Sequence, residues 1–258
     1  SVVTRLIKYV ALLNIFVQNS FISQSHCEAL LTFTTLTTAK QSDQRKEKEQ
    51  KRFPQHAFEK HLSEQAKLLF THSDMTHIQA IKIIHPRVAK EVLQQLLDNE
   101  QQQEIVAMDL LHEDVLFQHR FAREPYVTFL RDLFMRRYRV DKGDKSDSLF
   151  SPLIELVRKE TPEKAIKLLE EAHKRFDQDA FFAQQLARLN YCYEKFEEAE
   201  VWAVKAETKL PNNSFILDTK GHVYRRWFDA KCNAIDQVPK TAENIAGAVE
   251  TALKAMEC

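Results

Sequence analysis

The most basic stretch of the chain, Met135-Arg136-Arg137-Tyr138-Arg139, is the first candidate for chemistry. Planar guanidinium groups pair with phosphate through two hydrogen bonds, so Arg136, Arg137 and Arg139 could contact nucleic acid or another phosphate. The alternative is structural: cations at the C-terminus of a helix interact favourably with its dipole, and a polar loop at 141–147 follows. We favour the structural interpretation, and the phosphate contact remains the alternative.

Cysteine and histidine are the usual nucleophiles, bases and metal ligands. The four cysteines are scattered without a Cys-x-x-Cys pair, so they predict neither a disulfide framework nor a zinc site: Cys27, Cys192, Cys232 and Cys258. A reducing cytosol is the simplest compartment for them. Several histidines also lack ligand spacing: His56, His61, His72, His77, His112 and His119. Carboxylates are frequent in helical stretches such as 155–171, where they are normal surface residues. The sequence therefore predicts no metal site and no enzyme that works on its own.

The composition predicts a mainly helical chain with no global charge. Among 258 residues, 37 Lys and Arg balance 37 Asp and Glu, so no overall field attracts nucleic acid or anionic membrane. Only three residues are Gly, and no G-x-x-x-x-G-K-[ST] string is present, which argues against a phosphate-binding loop. The longest apolar run at the start, Tyr9 to Leu13, is far too short for a membrane span. Because the chain begins with Ser1 and the last predicted helix reaches Cys258, we expect it to be part of a longer protein.

A repeat in the second half supplies the elements that would position functional groups. Ala165 recurs as Ala199, and Ala172 recurs as Ala206 after the same interval. That interval also separates Leu169 from Ala203, Phe176 from Leu210 and Ala187 from Gly221. A repeat interval of about 34 residues is typical of the tetratricopeptide helix–turn–helix repeat. Small residues let antiparallel helices approach closely, so we expect these alanines at helix crossings.

The repeat predicts helices at 152–158, 162–176, 180–193, 196–210 and 214–228. Ser151-Pro152 and Thr161-Pro162 each place a capping side chain and a proline at a helix start. Pro211-Asn212-Asn213 predicts a turn. Ala248 and Ala255 lie beyond positions 233 and 240, where the period would place that pair, which predicts an insertion around 231–240.

The first helix of each pair lines the concave face of such arrays. By the repeat interval, that face includes six residues: Gln184, Arg188, Tyr191, Asp218, His222 and Arg225. Mixed polar and aromatic groups suit a peptide or a domain of the same protein. The alternative is solvated surface or packing within the molecule.

The first hundred residues predict a winged-helix-like unit with a small β-hairpin. An apolar period over 2–17 predicts a helix, and Ser23 or Ser25 could cap a second helix to Leu31. A further helix is expected around 58–69, although 67–71 could instead be a strand; Ser73-Asp74 then predicts a turn. The isoleucine-rich segment 77–85 favours a strand, and Pro86 opens a helix to Leu97.

The remaining segments complete a three-part organisation: a winged-helix-like unit at 1–100, connecting helices at 101–147 and tetratricopeptide-like repeats forming an α-solenoid at 148–258. The charged segment 43–52 contains no apolar residue and predicts a solvated loop or frayed helix. Its alternative, a nucleic-acid-binding or localisation signal, is weakened by interleaved acidic residues. Pro125 predicts the start of a connecting helix that carries Tyr126 and Leu130 on one face.

Long strings of the chain resemble the sterile alpha motif domain-containing protein 9 and 9-like family. They are RLIKYVALLNIFVQNSFISQSHCEALL, HLSEQAKLLF, THIQAIKIIHPRVAKEVL, FLRDLF with DSLFSPLIE, and SFILDTKGHVY, in order along the chain. The resemblance implies a large cytoplasmic protein with a sterile alpha motif, a nuclease-like domain, a P-loop NTPase, helical repeats and an OB-like end. Members are implied to be interferon-linked antiviral factors that suppress translation.

The resemblance places this chain just after the NTPase core, so the implied ATP or GTP binds the neighbouring domain and no cofactor is expected here. In NTPases of this build a histidine of the winged-helix domain can touch the bound phosphates, and His85 has the matching position. The structural alternative is a histidine satisfied by the local backbone. We predict a non-catalytic regulatory or scaffold segment that contacts protein partners, other domains or itself. The alternative is a nucleic-acid-binding winged-helix module.

Overall fold

The computed structural model describes residues 1–39, 58–75, 77–97, 103–137, 149–235 and 241–257. The described residues form thirteen α-helices and one three-stranded sheet, so the prediction of a mainly α fold is confirmed. They divide into two compact units, Ser1–Leu153 and Ile154–Cys258, each of which is described by itself. The predicted charged loop at 43–52 and Arg139 lie outside the described residues. The three-part division of the chain, the winged-helix assignment and the tetratricopeptide assignment stay predictions.

The first helix, α1 (Val2–Phe16), forms the centre of the first unit. The Oγ atom of Ser1 accepts a hydrogen bond from the backbone N–H of Thr4 and caps the helix. Leu6, Val10 and Leu13 are completely buried, which confirms the apolar helical period. The helix packs against β3 (Ile78–Ile83), α4 (Pro86–Leu96) and α5 (Gln103–His112). Burial of long side chains on several sides stabilises this unit.

The sheet corrects one sequence prediction. Strands β1 (Ile22–Ser23) and β2 (Phe70–Met75) pair antiparallel with β3, in the order β1-β3-β2. Ser73-Asp74, predicted as a turn, lies inside β2, because its residues pair with Ala80 and Gln79 of β3. Beyond the ladder, His77 has a positive φ of 70°. Because the backbone groups of two polar residues can form their hydrogen bonds to a partner strand, a polar pair can lie within a hairpin strand as well as in a turn.

The second helix, α2 (Gln24–Ala39), extends beyond the predicted end at Leu31. Of its two predicted caps, Ser23 accepts the backbone N–H of His26 through Oγ at 3.2 Å. A short 3₁₀ turn (Glu59–His61) and α3 (Glu64–Lys67) precede β2, so the segment around 58–69 is helical only in pieces. Pro86 occupies the first turn of α4, as predicted. Helices α6 (Asp114–Gln118) and α7 (Arg123–Met135) follow α5.

The helices of the repeat region are α8 (Pro152–Glu160), α9 (Pro162–Arg175), α10 (Ala180–Cys192), α11 (Phe196–Lys209), α12 (Ser214–Ile235) and α13 (Ala242–Met256). Helices α8 to α11 lie within two residues of their predicted bounds, whereas α12 continues seven residues beyond its predicted end at 228 and takes up part of the insertion predicted at 231–240. Asn213 Oδ1 accepts the N–H of Phe215 at 3.1 Å and caps α12 after the predicted turn, where Asn212 has a φ of 60°. The side chain of Thr161, in contrast, makes no capping hydrogen bond to α9. Proline, which lacks the N–H and has a suitable φ, suffices at that helix start.

Small residues fill the helix crossings of the second unit. Ala165, Ala172, Ala199 and Ala206 have no exposed surface. One cluster contains Ala180, Ala183, Ala206 and Ile216, and a second contains Ala187, Ala199, Ala203 and Val223. The periodic alanines therefore lie where neighbouring helices approach closely. No helix among the described residues is long and apolar enough to cross a membrane.

Candidate functional site

Helix α10 uses its polar side chains to hold α12. Gln184 is buried, and its Nε2 donates hydrogen bonds to the carbonyl O of Phe215 at 2.6 Å and to Oγ1 of Thr219 at 2.9 Å. Arg188 donates to the same Oγ1 atom at 3.3 Å. Because these donors meet the first turns of α12, they set the position of that helix along α10. Two of the six residues predicted for a partner face therefore take part in packing within the array.

Tyr191 packs beside the cluster that contains Ala187 and Val223. Burial raises the pKa of its hydroxyl, because the ionised form would lose its hydration. The ring is half-buried, so Tyr191 also contributes to helix packing.

The other three predicted residues come together in a groove on the far side of α12. Asp218, His222 and Arg225 line it from α12, with Phe228, and Met256 lines it from α13. The groove has a volume of about 710 Å³. We call it the α12/α13 groove; its remaining lining residues are Ser214, Leu217, Gly221, Ala252 and Ala255. Apolar and charged side chains therefore face one open space.

The two sets of three are equivalent by the repeat. One repeat interval separates Gln184 from Asp218, Arg188 from His222, and Tyr191 from Arg225. One set contacts the next helix, and the other faces the groove. The structure thus separates residues that the sequence places on one face, because α12 covers only the earlier repeat.

Helix α13 is held in place by polar contacts away from the groove. Nζ of Lys231 donates to the carbonyl O of Gly247 at 3.1 Å and to Oγ1 of Thr251 at 2.7 Å. Nζ of Lys254 lies 3.3 Å from Oε1 of Glu200, which also accepts the hydroxyl of Tyr224 at 2.9 Å. These contacts fix the position of α13, whose residues Ala252, Ala255 and Met256 form one wall of the groove.

The outer side of α13 is apolar. Four large side chains recur at helical spacing and are exposed by 46, 51, 55 and 83%, respectively: Ile245, Val249, Leu253 and Met256. Contiguous apolar surface of this kind often marks an interaction site. The stripe ends at Met256, which also lines the groove.

The remaining predicted site residues lie in the first unit. His85 is exposed and caps α4, where its Nδ1 accepts the N–H of Arg87 at 3.1 Å. This is the local backbone contact of the structural alternative, while a role in nucleotide sensing stays a prediction. Arg136 lies 3.3 Å from Oδ2 of Asp132, one helical turn earlier, and Arg137 is exposed. Across the described residues, no group of three or more His, Cys, Asp or Glu side chains could hold a metal ion.

A buried histidine cluster in the first unit was not predicted. His26 is completely buried, and its Nδ1 lies 2.6 Å from Oγ of Ser23. Its ring centre is 4.7 Å from that of His119, whose Nε2 lies 2.5 Å from Oγ of Ser25. Burial, followed by the charge of His119, lowers the pKa of His26 to about 3. Positions 26 and 119 are far apart in sequence, so no local spacing signals their contact.

The cluster has one feature of a nucleophilic site: the Ser25 hydroxyl lies within hydrogen-bond distance of the His119 ring, and a serine in such a pair can lose its proton to the imidazole. The group beside His119, however, is the ring of His26, and an imidazole does not orient a base as a carboxylate does. Tyr126 lies on the other side of His26, with ring centres 4.8 Å apart. The arrangement therefore serves packing of α2 against α6 and α7.

Comparison with known proteins identifies relatives of the whole region. The chain is 36% identical over 225 residues to a protein of Mus musculus named sterile alpha motif domain-containing protein 9-like, covering 86% of this chain and 13% of the relative. The Homo sapiens protein of the same name is 31% identical over 264 residues, covering 98% and 16%. Human sterile alpha motif domain-containing protein 9 is 30% identical over 236 residues, covering 87% and 14%. No family model and no solved structure matches the chain.

Proposed function

This chain is a homologue of the sterile alpha motif domain-containing protein 9 and 9-like proteins, and from that premise we propose that it is a protein-binding, non-catalytic segment of a larger protein of this kind. It spans only 13 to 16% of the length of these relatives. In the proposed function, the helical repeats contact another domain, another copy or a separate partner. The whole protein acts in the cytoplasm in antiviral defence, and a neighbouring NTPase domain binds ATP or GTP.

One observation carries the proposal: the α12/α13 groove combines an open volume with convergent polar groups. Asp218 and Arg225 supply opposite charges, and Leu217 and Phe228 supply apolar surface. Protein-binding sites combine an apolar centre with polar groups that select the partner. The exposed stripe from Ile245 to Met256 extends the apolar surface along α13.

A nucleic-acid-binding winged-helix module has less support. Arg136 already pairs with Asp132 at 3.3 Å, so its guanidinium would have to exchange that partner for a phosphate. The chain also has no net charge to attract nucleic acid at a distance.

The experiment measures binding of the purified chain to separately expressed domains of the human 9-like relative, and its self-association by analytical ultracentrifugation. The variant Asp218→Lys/Arg225→Glu exchanges two exposed charges in the groove and is expected to weaken whichever contact forms. The control Glu243→Lys changes an exposed charge at the start of α13, away from the groove residues of that helix, and should bind as the wild type does.

The proposal fails if the chain neither associates nor binds any of these domains, or if the groove variant binds like the control. Hydrolysis of ATP or cleavage of RNA by the purified chain would contradict its non-catalytic part.

A further inference from the structure

We propose that the α12/α13 groove is a seat for an amphipathic α-helix, which docks there as α12 docks on α10 and α11, with its N-terminal turn at Asp218. This inference rests on the proposed protein-binding function and names the class of partner. Helix α12 itself fills the equivalent groove one repeat earlier, between α10 and α11.

Helix α12 packs against both α10 and α11. Its residues Ile216, Thr219 and Val223 are buried and recur at the spacing of one helical face. Ile216 contacts a cluster of alanines from both helices, and Val223 contacts a second one. The seat for α12 is therefore a groove with small residues on its walls.

The first cluster, around Ile216, has an unfilled equivalent in the next repeat. Its α10 members, Ala180 and Ala183, correspond to Ser214 and Leu217 by the repeat interval. Its α11 member, Ala206, corresponds to Ala255 by the alignment of Ala199 with Ala248. All three corresponding residues line the α12/α13 groove.

The second cluster, around Val223, repeats in part. Ala187 corresponds to Gly221 and Ala203 to Ala252, and both corresponding residues line the groove. The third wall residue, Ala199, corresponds to Ala248, which is buried and does not line the groove. Five of the six wall residues that hold Ile216 and Val223 therefore have an equivalent that lines the α12/α13 groove, and the space between these equivalents is open.

The polar groups give the incoming helix a direction. Gln184 donates to the first turn of α12, through the carbonyl O of Phe215. Its equivalent, Asp218, is an acceptor, and a carboxylate interacts favourably with the free N–H groups and positive dipole end at a helix N-terminus. The N-terminal turn of the docked helix therefore lies at Asp218.

The sizes of the residues that line the groove also determine which side chains of the docked helix fit. Gly221 replaces Ala187 and leaves room for a larger group at the position equivalent to Val223. Leu217 replaces Ala183 and leaves less room at the position equivalent to Ile216. The expected partner helix carries a small residue in its first turn and a larger apolar residue seven positions later.

The test uses the full chain and a fluorescent, side-chain-stapled peptide with the sequence of residues 213–228. In the peptide, Ile216→Ala and Val223→Leu adapt the stripe to the groove. Fluorescence anisotropy measures its affinity, and we expect saturable binding. Asp218→Lys should weaken binding about two- to five-fold, since it places a cation at the helix N-terminus.

The decisive variant is Gly221→Leu, which fills the groove and is expected to weaken binding at least ten-fold. Leucine has a higher helix propensity than glycine, so the thermal unfolding temperature should not fall. The matched control is Gly247→Leu in α13, where an added Cβ has no atom within 4 Å. It should bind the peptide with the wild-type affinity.

Absence of saturable binding, or binding that Gly221→Leu leaves unchanged, would overturn the inference. If domains of the relative bind and Gly221→Leu blocks them while the peptide fails, the protein-binding function stands and the helix class is wrong. If the peptide binds but no domain and no second copy does, the helix seat stands and the proposed function fails.

Discussion

Helix α1 of the first unit and the repeat crossings of the second unit are packed with side chains of different size. In the first unit, α1 buries Leu6, Leu12 and Leu13 completely, with Tyr9 beside them. In the second unit, the equivalent places at helix crossings hold Ala172, Ala199 and other alanines. We therefore expect α1 to be sensitive to lost side-chain volume and the alanine crossings to be sensitive to added side-chain volume. Both tryptophans, Trp202 and Trp227, belong to the second unit, so tryptophan fluorescence follows that unit alone.

The largest expected effect is on the first unit. Leu13→Ala should lower its free energy of unfolding by about 2–5 kcal/mol, because it leaves a cavity at a completely buried position. Urea titrations followed by circular dichroism measure the change. The control Leu68→Ala alters a side chain that is 77% exposed and should cost less than about 0.5 kcal/mol. Similar losses for both substitutions would refute the assignment of the core to α1.

The opposite change tests the second unit. Ala206→Leu should destabilise it by about 1–3 kcal/mol, because a larger side chain forces α11 away from Ala180 and Ile216. Tryptophan fluorescence in urea reports the transition. Ala246→Leu, on the exposed side of α13, is the control and should be nearly neutral. A neutral Ala206→Leu would show that this crossing has spare space.

The free energy of unfolding should fall with falling pH in both units, because each contains a buried histidine. His26 has a folded pKa of about 3, below its ordinary value near 6.5, and burial also lowers the pKa of His173 to about 4. As the pH falls below about 6.5, the unfolded chain binds protons that the folded chain rejects. His26 alone should therefore reduce stability by about 2 kcal/mol between pH 7 and pH 5. Urea titrations at the two pH values measure this loss.

Two variants assign that pH dependence to its sources. His26→Gln should reduce the loss of stability between pH 7 and pH 5 in the circular-dichroism transition and leave that loss unchanged in the tryptophan-fluorescence transition. His173→Gln should reduce the loss in the tryptophan-fluorescence transition. Residues that face His26 from other elements, His119 and Tyr126, remain in both variants. An unchanged slope in His26→Gln would remove His26 as its source.

The smallest expected effect is an increase in the stability of the second unit. Gly247→Ala should stabilise the second unit by about 0.5–1 kcal/mol, since alanine is the better helix former and the added Cβ meets no atom within 4 Å. Thermal unfolding followed by tryptophan fluorescence measures it. A loss of stability would show that α13 is strained at this position.

The size difference also explains how much of the fold the sequence predicts. Alanines at crossings recur at a fixed interval, so the starts and ends of α9, α10 and α11 are predicted within one residue. The polar strand β2 has no such signal. Its Ser73-Asp74 pair has the composition of a turn, and only the partner strand makes it a strand.

In the candidate site, too, sequence spacing predicts which positions are equivalent but does not predict the contacts between residues far apart in the chain. The repeat interval pairs the six residues as equivalent positions, but it cannot say which repeat is followed by a helix that covers them. Gln184 and Arg188 meet α12, whereas Asp218 and His222 face an open groove. The contact between His26 and His119 depends on chain folding over a long distance, so neither residue's neighbours in sequence reveal it.

The two hydrogen bonds of Lys231 have a consequence for the connection between α12 and α13. This one ammonium group ties α12 to a carbonyl and a hydroxyl in the middle of α13, and it also lies 4.5 Å from the ring centre of Trp227. These contacts hold α13 against α12 in addition to the peptide link that joins the two helices. We therefore expect a chain cleaved between the two helices to keep α13 bound.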